Sequence, residues 1–249
     1  MNGGIRVAVF FSKGDLGDIG RHVVAAALEL PTWIVSSIRV FSQHTESLDH
    51  FNWNCGCPDH ILSPDNRGRL QLEQMDCSPE HLSSDYFIQQ LYGVDVVISC
   101  LGNRELFQAE HLARNGTERV LQALPACGIK RFIMLSSAGV AENWPTLEWS
   151  SVSENAQITR TTQCEDLDGA ELAVRQSAEV NPSLDFLIAR SVIAPEHAKP
   201  VGRWHVQVRN QPDDYPSSQI AKMDCARFLI REAIMPTLSR RSVVVGGYS

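Results

Sequence analysis

The sequence predicts an α/β protein of Rossmann type: a doubly wound, mainly parallel sheet with helices on both faces. Three observations predict it. Apolar runs of strand length alternate with longer stretches of helical period, the pattern of repeated βαβ units. A glycine-rich turn stands between the first run and the first helical stretch. A nearly all-apolar run at residues 94–101 has the composition of a parallel strand buried on both faces.

The elements follow in order. Residues 5–11 read as the first strand. A helix is expected over residues 18–30, because Ile19, Val23 and Ala27 fall on one stripe with Val24 and Leu28 beside it, and Pro31 ends it. Residues 33–41 contain the second strand. Residues 42–67, rich in Asn, Asp, Ser, Pro and His, read as a long loop of the sort that borders a site. A third strand covers residues 70–75, a short helix lies within residues 79–91, and residues 94–101 form the fourth strand.

Residues 105–124 carry Ala109, Leu112, Ala113, Val120, Leu121 and Leu124 at three- and four-residue spacings and read as a long helix. Pro125 is expected to kink or end it, with Gly128 as the terminal left-handed residue. Residues 131–135 make a fifth strand, 167–180 a helix, 186–190 a sixth strand, 224–234 a helix and 242–245 a last strand. No internal repeat or low-complexity tract interrupts the series. A chain of 249 residues accommodates one large α/β domain or two small ones. We read one, residues 1–249, with a C-terminal substrate-side extension.

Composition narrows the function. A formal net charge of -7 and a pI near 5.6 give no general attraction for polyanions, and no basic patch supports nucleic-acid binding. No window approaches the roughly 18 apolar residues of a membrane span, and residues 1–4 lead into the first strand without a signal-peptide pattern. A soluble, cytoplasmic protein with no membrane partner is the expectation. The 7 cysteines are scattered rather than spaced as a disulfide framework, so most are expected to be free thiols. Cys55, Cys57 and His60 lack a second ligand pair nearby, so no metal site is expected.

Gly14-Asp-Leu-Gly17-Asp-Ile-Gly20 follows the first strand and opens the first helix. Residues without a Cβ let the backbone turn tightly and approach a pyrophosphate, while free N–H groups at a helix N-terminus face the anion. Ser12 and Lys13 add a hydroxyl and a positive charge at the same mouth. Dinucleotide binding follows, with Ser12, Lys13, Gly14, Leu16, Gly17, Asp18, Ile19 and Gly20 as the cradle; the alternative is a plain tight βα turn. Asp15 and Asp18 are acidic beside a phosphate site, although either could cap the helix. Beyond the second strand a carboxylate would bind the ribose 2′-hydroxyl of NAD. Here stand Ser42, Gln43 and His44, with Arg39 upstream and Glu46 following, which leans to NADP(H) over NAD(H).

The glycine loop, the run Val94-Asp-Val-Val-Ile-Ser-Cys-Leu-Gly102-Asn103 and the run Arg131-Phe-Ile-Met-Leu-Ser-Ser137-Ala-Gly139-Val together resemble the atypical short-chain dehydrogenase/reductases of the NmrA-like, NAD(P)-binding kind. Gly202-Arg-Trp-His205 and Ser218-Gln-Ile-Ala-Lys222-Met-Asp224-Cys-Ala-Arg-Phe-Leu229 are most similar to the biliverdin reductase B, or NADPH-dependent flavin reductase, type. The resemblance spans nearly the whole chain apart from the longer loop between strands two and three. It implies that Asp76 and Cys77 border the adenine, that Cys100, Leu101, Gly102 and Asn103 line the central portion of the cofactor, and that Ser136, Ser137 and Ala138 lie beside the nicotinamide.

Many members of the wider superfamily use a Tyr followed four positions later by Lys, the lysine lowering the pKa of the phenol that protonates the substrate carbonyl. Tyr86, Tyr92, Tyr215 and Tyr248 have no such lysine; the atypical members also do without it. Ser137 matches the active-site serine of the flavin reductase type and is the catalytic candidate, or else it caps the strand end. Trp144, Trp149 and Trp204 either stack on a planar acceptor or serve ordinary cores. His205 is a proton-donor candidate or else an incidental histidine, and Arg190 reaches either the ligand cleft or an ion pair.

Two functions are carried forward. One is an NADPH-dependent oxidoreductase passing hydride to a planar conjugated small molecule such as a flavin or quinone. The other is a non-catalytic NADP(H)-binding redox sensor or scaffold with a protein partner.

Overall fold

The computed structural model describes residues 3–12, 15–42, 64–74, 84–102, 111–138, 140, 154–191, 198–208 and 219–248. Its elements, in chain order, are β1 (Ile5–Phe11), α1 (Asp15–Leu28), β2 (Val35–Ser42), the single turn α2 (Pro64–Arg67), β3 (Leu70–Gln74), α3 (Ser84–Leu91), β4 (Val96–Cys100), α4 (Leu112–Cys127), β5 (Arg131–Ser137), α5 (Glu154–Val180), β6 (Asp185–Ser191), β7 (Trp204–Val208), α6 (Lys222–Ile234) and β8 (Arg241–Gly247).

The strands form one sheet in the order β3-β2-β1-β4-β5-β6-β8-β7. Every pairing is parallel except that of β7 with β8. Alternate residues of each strand face opposite layers. Val7, Val9, Val96, Ile98, Ile133, Leu187 and Val243 pack with α1 and α6 on one face. Ala8, Phe10, Val97, Phe132, Met134 and Ile188 pack with α3, α4 and α5 on the other. Both faces are apolar because both are covered, which is why the strands read as continuous hydrophobic runs rather than alternating ones.

Three helix ends and one added strand are the main differences from the sequence reading. Helix α1 begins at Asp15, so Gly17 and Gly20 lie inside it. Helix α4 runs through Pro125 to Cys127, and Gly128 closes it with φ 70 in the left-handed region. Helix α5 begins at Glu154 rather than near residue 167. Strand β7 is an addition: five residues, Trp204–Val208, carry the alternating pattern of an edge strand, and a segment that short is easily taken for a loop.

Buried polar side chains tie the layers together. Asp166 of α5 accepts the backbone N–H groups of Ala113 and Arg114, each at 2.9 Å, and so caps α4, whose own N-cap residue His111 supplies no side-chain bond. Burial raises the Asp166 pKa against the pull of those two N–H groups. Arg69 donates to the carbonyls of Leu28, Leu30 and Val35, placing a cation at the C-terminal end of α1. Burial lowers its pKa.

Candidate functional site

Strand order reverses between β1 and β4, whose carboxyl ends flank the crevice where open α/β sheets bind ligands. Ser12, just past β1, is buried there. Its hydroxyl donates to the carbonyl oxygen of Gly102, just past β4, and accepts the Gly102 N–H at 3.2 Å. The serine thus joins the two strand exits, which makes it a part of the crevice wall.

Helix α1 rises directly from this crevice. A Cβ on Gly20 would lie 2.4 Å from Phe11 Cβ, so the glycine lets the helix close onto the end of β1. That is the packing role of the last glycine in a dinucleotide fingerprint. The first turn, which includes Leu16, Gly17 and Asp18, presents the backbone N–H groups that a helix leaves unpaired. Helix, glycine and strand exits fit a dinucleotide, which the first turn of α1 and the backbone of Gly102 would hold. Ile19 is buried on the side facing the core. Lys13, Gly14, Gln43, His44, Asp76, Cys77 and Asn103 lie outside the described residues, as do Trp144, Trp149, Cys55, Cys57 and His60.

Ser42 ends β2 and is buried. Arg39 does not support the phosphate reading: its Nε donates to Gln71 Oε1 at 3.0 Å and its NH1 to the carbonyl of Gln90, at the end of α3. Among the described residues at the end of β4, the side chains of Cys100 and Leu101 both belong to the core. The Cys100 side chain belongs to the α1/α6 core. Leu101 packs on the opposite face, where a Cβ on Gly116 would meet its Cδ1 at 2.7 Å.

At the ends of β5 and β6, residues alternate between two environments. Ser136 and Arg190 are register partners, as are Ser137 and Ser191. On the α5 face, Ser136 Oγ donates to Glu171 Oε1 at 2.7 Å, Arg190 Nε to the same oxygen at 2.9 Å, and Arg190 NH2 to Oε2 at 2.6 Å. Arg175 donates to Oε2 at 2.7 Å and to Ser242 Oγ at 3.2 Å. Glu171 is 0% exposed and Arg190 3%. Of the two roles expected for Arg190, the ion pair is the one observed.

Glu171 is a residue the sequence reading passed over. Its position between Leu167 and Val174, on the buried stripe of α5, was the available signal. An acid on an apolar stripe needs a partner. Helix α5 itself contains neither tyrosine nor lysine.

On the α1/α6 face, Ser191 Oγ lies 3.9 Å from Cys225 Sγ of α6. Burial raises the pKa of Cys100 well above its ordinary value and that of Cys225 to about 12. Ser137 ends β5 half-buried; its carbonyl accepts the Val140 N–H, and the Ala138 N–H donates to Ser191 O, both at 3.2 Å. Ser137 and Ala138 are thereby fixed in a tight turn at the strand end.

Trp204 stands edge-on to Phe228 of α6, with ring centroids 6.1 Å apart, and so packs on the core. His205 stands edge-on to Tyr248 at 5.4 Å. Asp224, at the start of α6, accepts the N–H groups of Val201 and Gly202 at 2.7 and 2.9 Å, holding the segment before β7. Among the described residues no group of three or more His, Cys, Asp or Glu could hold a metal ion, and no helix is long and apolar enough to cross a membrane.

A glycine-led crevice at the switch point of a doubly wound sheet defines a nucleotide-binding Rossmann protein. The chain belongs to the NAD(P)H-binding family, whose model matches residues 67–236, more than half of its length. No curated protein sequence matches it. Among solved structures it is similar to the oxidoreductase ylbE of Lactococcus lactis, at 15% identity and TM-score 0.66, covering 98% of this chain and 92% of that one. A short-chain dehydrogenase/reductase of Veillonella parvula, solved with NADP, is similar at 14% identity and TM-score 0.64, covering 98% and 94%. ChuY of Escherichia coli O157:H7, described as an anaerobilin reductase, is similar at 16% identity and TM-score 0.65, covering 97% and 96%. At these identities the likeness is one of fold.

Proposed function

We propose that this chain is an NADPH-dependent oxidoreductase that reduces a planar conjugated small molecule, such as a flavin or quinone, by direct hydride transfer. The observation that carries the reading is the Ser137–Ala138 turn at the carboxyl end of β5, beside the crevice at which Ser12, just before α1, bonds Gly102. A bound reduced nicotinamide supplies the hydride. The protein's part is to hold the two rings face to face and keep water out.

In this reading the Ser137 hydroxyl hydrogen-bonds the acceptor, and Ser136, bonded to Glu171, steadies the backbone of its neighbour. The preference for the 2′-phosphate rests on Ser42, Gln43 and His44 without help from Arg39, whose guanidinium is engaged elsewhere. The site takes a small-molecule acceptor in a soluble, cytoplasmic protein, with no part for nucleic acid or membrane.

The test is oxidation of NADPH by the purified protein with FMN, riboflavin, biliverdin and a small quinone, with NADH in parallel. Saturable turnover that falls at least about tenfold in Ser137→Ala is the expected result. Replacing Gly17 with a bulky residue should remove cofactor binding and turnover together; turnover that survives it would sink the proposal.

The absence of tyrosine and lysine from α5 favours a second reading, a redox sensor whose protein partner distinguishes the two cofactor forms. Calorimetry showing tight NADPH binding, much weaker NADP+ binding and no turnover with any acceptor would select it.

A further inference from the structure

The chain between β6 and β7 starts and ends at the carboxyl edge of the sheet. Strand β6 leaves that edge at Ser191, and β7, antiparallel to β8, begins there with Trp204 beside Gly247. Residues 198–203, which lead into β7, belong to no helix or strand, and residues 199–203 are exposed. Two backbone N–H groups of this strap are nevertheless tied to the interior. Val201 donates to Asp224 Oδ2 at 2.7 Å and Gly202 to Oδ1 at 2.9 Å, and Asp224 is fully buried at the start of α6. Arg227, one turn further on, stands 4.0 Å from Oδ1 and bonds Glu29 of α1, so among the described residues the strap N–H groups are the close partners of this carboxylate.

The strap lies on the same side of the sheet as the Ser137 side chain. Ser137 and Ser191 are register partners and share a face. Ser191 Oγ is 3.9 Å from Cys225 Sγ, which makes that face the α6 one, and Trp204 packs on the same core. The Ser191 carbonyl in turn accepts the Ala138 N–H at 3.2 Å. Asp224 therefore holds the strap one residue before the α6 contact with the exit of β6, and that exit is bonded to the Ser137–Ala138 turn. The N–H groups of exposed connections are ordinarily met by water, and a loose surface loop costs little stability. Here a buried charge, with its desolvation cost, fixes two of them. Such an arrangement calls for a role beyond covering the core.

We propose that Asp224 is a positioning residue for the acceptor: it fixes strap 198–203 as a wall of the acceptor site beside Ser137. The strap acts on the acceptor and not on the dinucleotide, because the crevice between β1 and β4 lies on the far side of β5 from it. This inference rests on the reading of the Ser137 turn as the acceptor side of a reductase.

The experiment uses two variants. Asp224→Asn keeps the shape and turns one acceptor oxygen into a donor, so one strap N–H loses its partner. Gly202→Ala disturbs the strap from outside: Gly202 has φ 72, which an L side chain rarely adopts, and nothing lies within 4 Å of an added Cβ, so the core is untouched. With FMN, riboflavin and a small quinone as acceptors, Asp224→Asn should raise the acceptor KM about tenfold and Gly202→Ala about threefold. The NADPH Kd, measured by calorimetry, should stay within about twofold of wild type in both.

A second readout needs no turnover. In the NADP+-loaded protein carrying Ser137→Cys, modification of position 137 by N-ethylmaleimide, followed by peptide mass spectrometry, should run about tenfold faster once Asp224→Asn is added. KM and NADPH Kd rising together with a lower Tm would overturn the proposal, since Asp224 would then support the whole crevice. Unchanged KM values in both variants would overturn it as well. If Asp224→Asn does not fold, Gly202→Ala carries both comparisons. If no acceptor is turned over, the reductase reading fails separately and the modification rate decides for the strap, equal rates with and without the substitution counting against it.

Discussion

The two faces of the sheet meet the same strand ends in opposite chemical terms. On the α5 face, Ser136, Arg190, Glu171, Arg175 and Ser242 form a saturated, largely buried charge network drawn from four elements. On the α1/α6 face stand Ser191, one residue beyond Arg190 on β6, and the thiols of Cys100 and Cys225 in an apolar core. A one-residue step therefore separates a rigid ionic clamp from a soft packed wall. The difference teaches that the α5 face fixes where β5 and β6 end, while the α1/α6 face fixes how closely the cofactor helix approaches them.

The largest effect should come from breaking the clamp. Glu171→Ala leaves Arg190 buried without its carboxylate, and removal of one partner from a buried pair costs about 3–5 kcal/mol. Urea unfolding should show the midpoint falling by a corresponding amount. The double change Glu171→Met with Arg190→Met should recover much of that loss, because apolar side chains of similar volume replace both charges. If the double variant is as unstable as the single one, the carboxylate matters for reasons other than its pairing with Arg190.

The two faces also differed in how far they could be read in advance. The parallel strands, the helices on both faces and the glycine turn that opens α1 follow from hydrophobic runs and the Gly14–Gly17–Gly20 spacing, since each is a local signal, whereas the strand order is set by long-range pairing. The clamp is half legible: Arg190 reads as either a cleft residue or an ion-pair member, but its partner lies 19 residues away, on a helix that the sequence places only from residue 167 onward. The residues before that, Glu154 to Asp166, are polar enough to mask the helical period. Arg39 shows the opposite failure, since nothing local reveals that a strand arginine bonds the carbonyl of Gln90 on a neighbouring helix. Strand β7 was missed for a third reason: its five residues gain their meaning only by pairing with β8, which is 33 or more residues later in the chain.

A smaller effect should separate the faces through two glycines. On the α1 face, Gly20→Ala drives a Cβ to 2.4 Å from Phe11 Cβ, close to the backbone, where nothing can yield without moving the helix. Overpacking of this kind costs about 1–3 kcal/mol, and the displaced helix should weaken NADPH binding as well. On the opposite face, Gly116→Ala meets Leu101 Cδ1, the far end of a flexible side chain. Rotation of that leucine and the gain in helix propensity, about 1 kcal/mol for Gly to Ala, should leave Gly116→Ala near neutral with its NADPH affinity intact. Equal losses in both variants would mean that α1 and α4 are held with the same rigidity, and the proposed division of labour between the faces would not hold.

The smallest effect belongs to the thiols and shows itself only at high pH. Cys225 keeps its proton in the folded state up to about pH 12, because burial penalises the thiolate and Asp224 adds a like charge against the help of Ser191. Its ordinary value is 9.0. A folded-state pKa above the unfolded one means that the stability contribution is complete below about pH 9 and is lost as the pH rises toward 12, the unfolded chain releasing its proton first. At pH 10 the loss should be about 1 kcal/mol. Cys225→Ala, whatever its constant cost in packing, should therefore show a shallower decline of unfolding midpoint between pH 8 and pH 11 than the wild type. Parallel profiles would show that the Cys225 thiol ionises without leaving the fold, and the α1/α6 face would then admit water where the apolar core now argues that it does not.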